Sequence, residues 1–405
     1  MIKYGHGIAC DRLKQKNKHM KLSTLAEDLR QNDIRAVTAR INAVNGINLG
    51  QGICDMPAPD AIKEGAKAAI DNDQSIYAPF GGVEPLKRHI VDKVRSFNGI
   101  PVDGPDNILI TAGSTGAFVT AVFALLDPGD EVIQFEPWYG YHGGILKLRD
   151  VSQKTVPMSA PSWEVDFDRL ESAITPKTRA IVITTPNNPC GKVWSREELE
   201  QLAAILERHD LYAITDEVYE YMTYDGRPHI SLASLESAAH RTITLSSFSK
   251  TFNMTGWRLG YATGPEWIIE KMGLLSDLFY ICAPSPLQYG LADGFATDRA
   301  YYETMLRDYD RKRTRMCEAL ETAGFTVPWP EGAYYVFASF EPLRDRPGFS
   351  NDKQACETLI EEVGVGSVPG RSFYTDPDDG QYLLRFCFAK KEHELEEACR
   401  RIEGL

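Results

Sequence analysis

The stretch SSFSKTFNMTGWRLGY, Ser246 to Tyr261, decides how the rest of the chain is read. A short apolar run, Ile243 to Leu245, ends abruptly in hydroxyl side chains. Lys250 follows, and Arg258 stands eight residues further on. The run before it has the length and content of a buried strand, so the hydroxyls, the amine and the guanidinium gather where a strand gives out.

The same form recurs outward from this point. NILIT precedes Gly113, Ser114, Thr115 and Gly116, which open the helix STGAFVTAVFALL. EVIQF precedes Trp138, Tyr139 and Tyr141; RAIVITT precedes Asn187, Asn188 and Pro189; LYAIT precedes Asp216, Glu217 and Tyr219. YATG reads as one more strand. Apolar strand runs alternating with helices predict an α/β fold, a mostly parallel central sheet covered by helices on both faces. Ser195 with Glu198 three residues on marks a capped helix start. APDAIKEGAKAAIDN reads as a helix with its own N-cap, residues 24–45 as one or two helices, and GINLGQGICDMPAPD as a short extended segment and turn. A long helix is expected from Asp298 to Ala323. It leads into a smaller α+β domain with strands in AYYVFASF, GVGSV and YLLRFCFA, closed by the helix KKEHELEEACRRI. The expected organisation is an N-terminal segment 1–48 packing with the small domain, a large domain 49–298 and a small domain 299–405.

Composition narrows the function. A net charge of −13 over 405 residues disfavours a nucleic-acid or anionic-membrane surface. The eight cysteines form no CxxC and no ligand-like cluster, which points to a reducing compartment and to no metal centre. The start of the chain lacks the apolar core of a signal peptide, and the most apolar stretch, Ala117 to Leu126, is half a membrane span. The expectation is a cytoplasmic protein with no membrane partner.

Ligands on parallel sheets collect outside the carboxyl ends of the strands. Singly, each group standing there has a plain structural reading: a helix cap, a core aromatic, a buried polar pair. Together they describe one pocket. A helix N-terminus with hydroxyls and Arg258 suits a phosphate. Aromatic side chains offer a face for a flat ring, Asp216 a partner for a protonated ring nitrogen, Asn188 and Tyr219 donors to a phenolate oxygen, and Lys250 an amine for a Schiff base. A flat, phosphorylated, pyridinium-bearing aldehyde is pyridoxal 5′-phosphate (PLP). The dinucleotide fingerprint and the P-loop are both missing.

SSFSKTFNMTGWRLGY, TTPNNPCG and ITDEVYEYMTYDG, in this order, resemble the class I/II aminotransferases, fold-type I PLP enzymes of the aspartate aminotransferase superfamily. The likeness runs from about Ile34 to the C-terminus. It implies that Lys250 holds the cofactor aldehyde, Asp216 pairs with the ring nitrogen, and Asn188 and Tyr219 bond the ring oxygen. It implies that Ser114, Thr115, Ser247, Ser249 and Arg258 hold the phosphate, and that Tyr139 stacks on the ring, with Trp138 as a competitor. Tyr77 matches a tyrosine that reaches the phosphate of a neighbouring subunit, which implies a homodimer with shared active sites. Arg385 matches the residue that grips the substrate α-carboxylate, and Gly52 a glycine whose backbone lies close to substrate. The strand around Arg385 is apolar, so an unpaired guanidinium there would be costly; an Asp or Glu partner is the structural alternative. Tyr334, Tyr335 and Phe373 are further lining candidates, with core packing as their alternative.

The implied activity is ping-pong transfer of an amino group from an L-amino acid to a 2-oxo acid. No arginine lies between Arg258 and Arg299, where family members that act on aspartate place a second one, and the intervening segment is apolar and aromatic. NLGQGICDMPAPD resembles the aromatic, methionine, glutamine and kynurenine type. An aromatic or neutral hydrophobic donor is therefore expected. An aspartate-type aminotransferase and a PLP-dependent C–S β-lyase of the same fold are the alternatives. A transcription regulator's sensor domain is disfavoured by the acidic charge and the short segment before the match.

Overall fold

The computed structural model describes residues 21–28, 33–54, 56–295 and 299–405. Residues 33–405 make one compact unit. Of the preceding residues the short helix Thr24–Asp28 is described, with the Ser23 hydroxyl accepting from the Ala26 amide at its start.

The strands are β1 Ile47–Asn48, β2 Ile108–Ala112, β3 Glu131–Glu136, β4 Ser152–Ser159, β5 Glu164–Val165, β6 Thr178–Thr184, β7 Tyr212–Asp216, β8 Thr242–Ser247, β9 Leu259–Thr263, β10 Tyr335–Ser339, β11 Val365–Gly366, β12 Val368–Pro369 and β13 Leu383–Cys387. Eight of them form the main sheet in the order β2-β9-β8-β7-β6-β3-β4-β5. The pairs from β8 through β7, β6 and β3 to β4 are parallel, while β9 runs against both β2 and β8. Side chains alternate across this sheet, so each strand feeds two cores. Val132, Val182, Ile214 and Leu245 meet Phe118 and Ala121 of helix Gly113–Leu125 on one face. Ile133, Ile181, Ile183 and Ala213 meet Leu199 and Leu202 of helix Arg196–Arg208 on the other. Burial on both faces is why these strands read as continuous apolar runs.

Strands β10, β13 and β12 form an antiparallel three-stranded sheet. Met316 and Leu320 of the long helix Arg299–Thr322 share its core with Ala398, Cys399 and Ile402 of the closing helix Glu392–Glu403. Strand β1 pairs with β11, and Val37 and Ile41 of helix Asp33–Ala43 pack on Ile360.

Several local expectations change. GVGSV is two short strands broken at Ser367. The helix Asp60–Asp71 has Pro59 at its N-cap without a side-chain bond, and Asp60 sits inside the first turn, paired with Lys63. Ser195 and Glu198 do form the reciprocal capping pair. The expected start of the long helix at Asp298 lies outside the described residues. Strand β4 and helix Glu84–Ser96 had not been expected. SQKTVPMS is largely polar and half exposed near the sheet edge, so its sequence carries no apolar run.

Candidate active site

The carboxyl ends of β6, β7 and β8, the start of helix Gly113–Leu125 and the loop after β1 enclose a cavity of about 450 Å³. Most of the expected site residues reach it: Gly52, Ser114, Thr115, Tyr139, Asn188, Asp216, Tyr219, Ser247, Ser249, Lys250, Arg258 and Arg385 all line its wall. Tyr335 does as well. Trp138 does not; its indole lies over Gly143, where an added Cβ would stand 2.6 Å from the ring. Tyr334 and Phe373 are core residues behind the wall. Tyr77 stands outside the cavity and is 77% exposed.

At the anion end, Gly113 takes φ +72° and begins the helix. Among the described residues the hydroxyls of Ser114 and Thr115, two residues that line the cavity, take no side-chain hydrogen bond. Neither acts as a cap for its own helix. Ser247 caps the short turn Phe248–Thr251 by accepting from the Ser249 amide at 3.1 Å, which sets both serines and Lys250 on one bend. Arg258 follows at φ 58°, an uncommon backbone state for a side-chain-bearing residue, and donates to the carbonyl of Thr255 at 3.0 Å. Free amides at a helix start, hydroxyls and a guanidinium are a site for a phosphate dianion.

At the floor, Asp216 ends β7 and is 5% exposed. One carboxylate oxygen lies 3.1 Å from His142 Nε2, while the other is buried with no partner. Such an oxygen is costly unless a donor meets it. His142 was not foreseen. It stacks on Phe118 at 4.2 Å and lies edge-on to Tyr139, three residues earlier on the same turn. That one-turn spacing was the available signal. Tyr219 donates to the Tyr335 hydroxyl at 3.1 Å. Burial, with Tyr335 beside it, pushes the Tyr219 phenol well above its ordinary range, so it stays protonated and a donor at neutral pH.

Lys250 Nζ donates to the Gly52 carbonyl at 3.1 Å and lies over the Tyr334 ring at 5.3 Å. Gly52 has no room for a side chain, because a Cβ would stand 1.9 Å from the Tyr335 hydroxyl. Arg385, 1% exposed, donates to Asn188 Oδ1 at 2.8 Å and to the Gly50 carbonyl at 2.6 Å. Its guanidinium stacks over Tyr335 and Phe373. Among the described residues no carboxylate pairs with it, and its Nε has no partner. The structural ion pair weighed for this arginine is thus not formed, and a buried cation faces the cavity ready for an anion.

Beneath the Asp216–Tyr219 turn runs a buried polar network that sequence reasoning also missed. Glu217 accepts from Thr215, Ser231 and His229, while Glu220 accepts from Asn98, Ser246 and Lys93. Glu217, Glu220 and His229 come close enough for a metal ion, but hydroxyl, amide and ammonium donors already satisfy both carboxylates.

The donor set fits PLP: an unpaired carboxylate oxygen for the ring nitrogen, unpartnered hydroxyls at a helix start for the phosphate, and an amine between them. Sheet and site together define a fold-type I PLP-dependent enzyme. Comparison with known proteins agrees. The profile of the family "Aminotransferase class I and II" matches residues 44–402. The aromatic-amino-acid aminotransferase 2 of Thermococcus litoralis is 35% identical, over 95% of this chain and 98% of its own. Human kynurenine–oxoglutarate transaminase 1 is 33% identical, over 86% and 90%. The solved N-succinyldiaminopimelate aminotransferase of Mycobacterium tuberculosis superposes with a TM-score of 0.90 at 32% identity, covering 95% of this chain and all of that one. The chain belongs to the class I and II aminotransferases and is a PLP-dependent transaminase.

Proposed function

We propose that this enzyme moves the amino group of an L-amino acid with an aromatic or neutral apolar side chain to a 2-oxo acid, both substrates using one site in turn. The observation that carries the reading is the unpaired Asp216 oxygen in a cavity that also holds Lys250 and the carboxylate-free Arg385. When bound, PLP supplies an electron sink that makes the substrate Cα–H acidic enough to lose its proton. The remaining work falls to the chain. Lys250 would hold the cofactor aldehyde and would move the proton at the substrate Cα. Asp216 would meet the ring nitrogen with its unpaired oxygen, its other oxygen held by His142. The Asn188 amide would donate to the ring oxygen, as would Tyr219 once its one O–H turns from the Tyr335 hydroxyl; Asn188's own carbonyl is committed to Arg385. Ser114, Thr115, Ser247, Ser249 and Arg258 anchor the phosphate, and Tyr139 covers the ring. Arg385 takes the α-carboxylate beside the bare backbone of Gly52.

The donor class rests on the apolar side chains of Ile34, Ile53, Val218 and Tyr141 in the cavity wall and on relatives named for aromatic and kynurenine substrates. The last of these names also supports 2-oxoglutarate as acceptor. The reading includes a homodimer. Ile76, Tyr77, Phe80, Leu278 and Phe279 are exposed apolar side chains, and Phe80 packs on Gly273 of the helix that carries Leu278, which brings them toward one face. Tyr77 on that face would complete the partner's phosphate site. The division at 48/49 and 298/299 belongs to the same reading: the main sheet lies wholly within 49–298 and the three-stranded sheet within 299–405.

Spectra of the PLP-loaded protein, titrated with a panel of amino acids, test the activity. Loss of the band of the lysine-bound cofactor on adding aromatic or neutral donors is expected. Lys250→Ala should lack that band and transaminate at least ~10³-fold more slowly. Full activity in this variant would sink the assignment; pyruvate and ammonia from a cysteine conjugate would favour a β-lyase instead.

A further inference from the structure

The charges of the cavity do not balance once the roles above are filled. Its lining carries one carboxylate, Asp216, and four cations, Lys250, Arg258, Arg385 and Arg35. The first three have counterparts in an aldehyde, a phosphate and an α-carboxylate, and Asp216 answers a ring nitrogen. Arg35 is left over. It makes no hydrogen bond or ion pair with any described residue.

Its position is set by the helix Asp33–Ala43. Val37 and Ile41 turn inward onto Ile360 and anchor that helix. Thr38, one turn after Arg35 and therefore on a neighbouring face, lies 3.3 Å from the side chain of Gln51 and accepts from Asn48 at 3.1 Å. Arg35 thus looks onto the Gly50–Ile53 loop, whose carbonyls at Gly50 and Gly52 take Arg385 and Lys250. Two guanidinium groups from opposite ends of the chain border one small cavity.

We infer that Arg35 is a specificity-determining residue that receives the second carboxylate of a dicarboxylic 2-oxo acid acceptor. The inference rests on the assignment of Arg385 to the α-carboxylate. A substrate held there by one carboxylate extends its other end along a wall of Ile34, Ile53 and Tyr141, which takes an apolar side chain, with Arg35 alongside to take a charged one. One site then accepts neutral donors and an anionic acceptor without an arginine in the segment between Arg258 and Arg299. Arg35 is exposed at rest, and a guanidinium–carboxylate hydrogen bond made as substrate fills the cavity is worth roughly tenfold in affinity.

Calorimetry on the PLP-loaded enzyme with two unreactive five-carbon probes tests this directly. Glutarate carries both carboxylates and valerate carries one. The wild type should bind glutarate at least about tenfold more tightly, and that preference should shrink as salt is raised. Arg35→Gln should lower the ratio of the two dissociation constants roughly tenfold or more, and Arg35→Lys should restore part of it. No preference in the wild type, or an unchanged ratio in Arg35→Gln, overturns the inference. So does a fall in cofactor affinity with the ratio intact, which would place Arg35 at the phosphate. Because neither probe reacts, these outcomes stand apart from the amino-acid titration: a protein that binds glutarate by Arg35 yet is bleached by no donor would refute the donor reading alone.

Discussion

Gly113 and Arg258 constrain one another. Gly113 stands at φ +72°, and a Cβ there would lie 2.4 Å from Arg258 Nη2. Arg258 itself sits in the left-handed region, a strain of about 1–3 kcal/mol that the surrounding structure must sustain. Gly113→Ala should therefore cost about 1–2 kcal/mol for the backbone alone and push the guanidinium off the anion site. We expect the PLP dissociation constant to rise at least about tenfold, read by absorbance titration, with a lower melting temperature. A substitution that leaves cofactor affinity unchanged would show that Arg258 does not hold the phosphate. The sequence displayed Arg258, Ser114 and Thr115 as candidates, because strand-end hydroxyls and cations are visible in one dimension. It did not display why residue 113 must be glycine, since the reason is a side chain 145 residues away.

At the level of elements, the Lys93–Glu220 pair ties helix Glu84–Ser96 to the turn after β7, and Glu220 reaches β8 through Ser246. Both charges are buried. Burial by itself would raise the Glu220 pKa; the Lys93 ammonium, with His229 nearby, outweighs it and holds the carboxyl below its usual range. A depressed folded pKa gives stability that is complete above the unfolded value, near about 4.3, and lost as the pH falls through the folded value. Glu220→Gln leaves Lys93 uncompensated and should destabilise by about 3–5 kcal/mol at pH 7. The gap from wild type should narrow below about pH 4, where the wild-type carboxyl also takes up a proton. Denaturant midpoints at both pH values check this, and equal midpoints at pH 7 would refute it. Strand β4 carries no apolar run, and its assignment depends on what pairs beside it. Helix Glu84–Ser96 is different: Leu86, Ile90, Val91 and Val94 recur at helical spacing, so that element was legible in the sequence.

For the whole molecule, the apolar face near Tyr77 is the feature a single chain leaves unsatisfied. Leu278 is 82% exposed on helix Glu266–Tyr280, and Ile76 is 81% exposed beside Tyr77. If this face joins two copies, Leu278→Asp should yield monomer by sedimentation velocity. It should also weaken PLP binding, since Tyr77 would no longer reach a neighbouring phosphate site. A variant that stays dimeric, or a wild type that is monomeric at micromolar concentration, would refute this interface. Among the described residues no helix is long and apolar enough to cross a membrane, so the face is not part of a spanning helix.

The sequence by itself determined the alternation of strand and helix, the family, and the chemical identity of the groups at each strand end. These are local properties: apolar period, turn residues, and side chains next to them. Tertiary structure decided which of those groups share a cavity. It set Tyr139 rather than Trp138 on the wall, left one Asp216 oxygen unpaired, and gave Arg385 no carboxylate. It also brought in His142 and Arg35, which no motif had marked. The physical reason is that solvation and pairing of a charge depend on neighbours far along the chain. Arg35 and Arg385 are 350 residues apart in sequence, and only the packing of an N-terminal helix beside the loop after β1 lets both line one cavity.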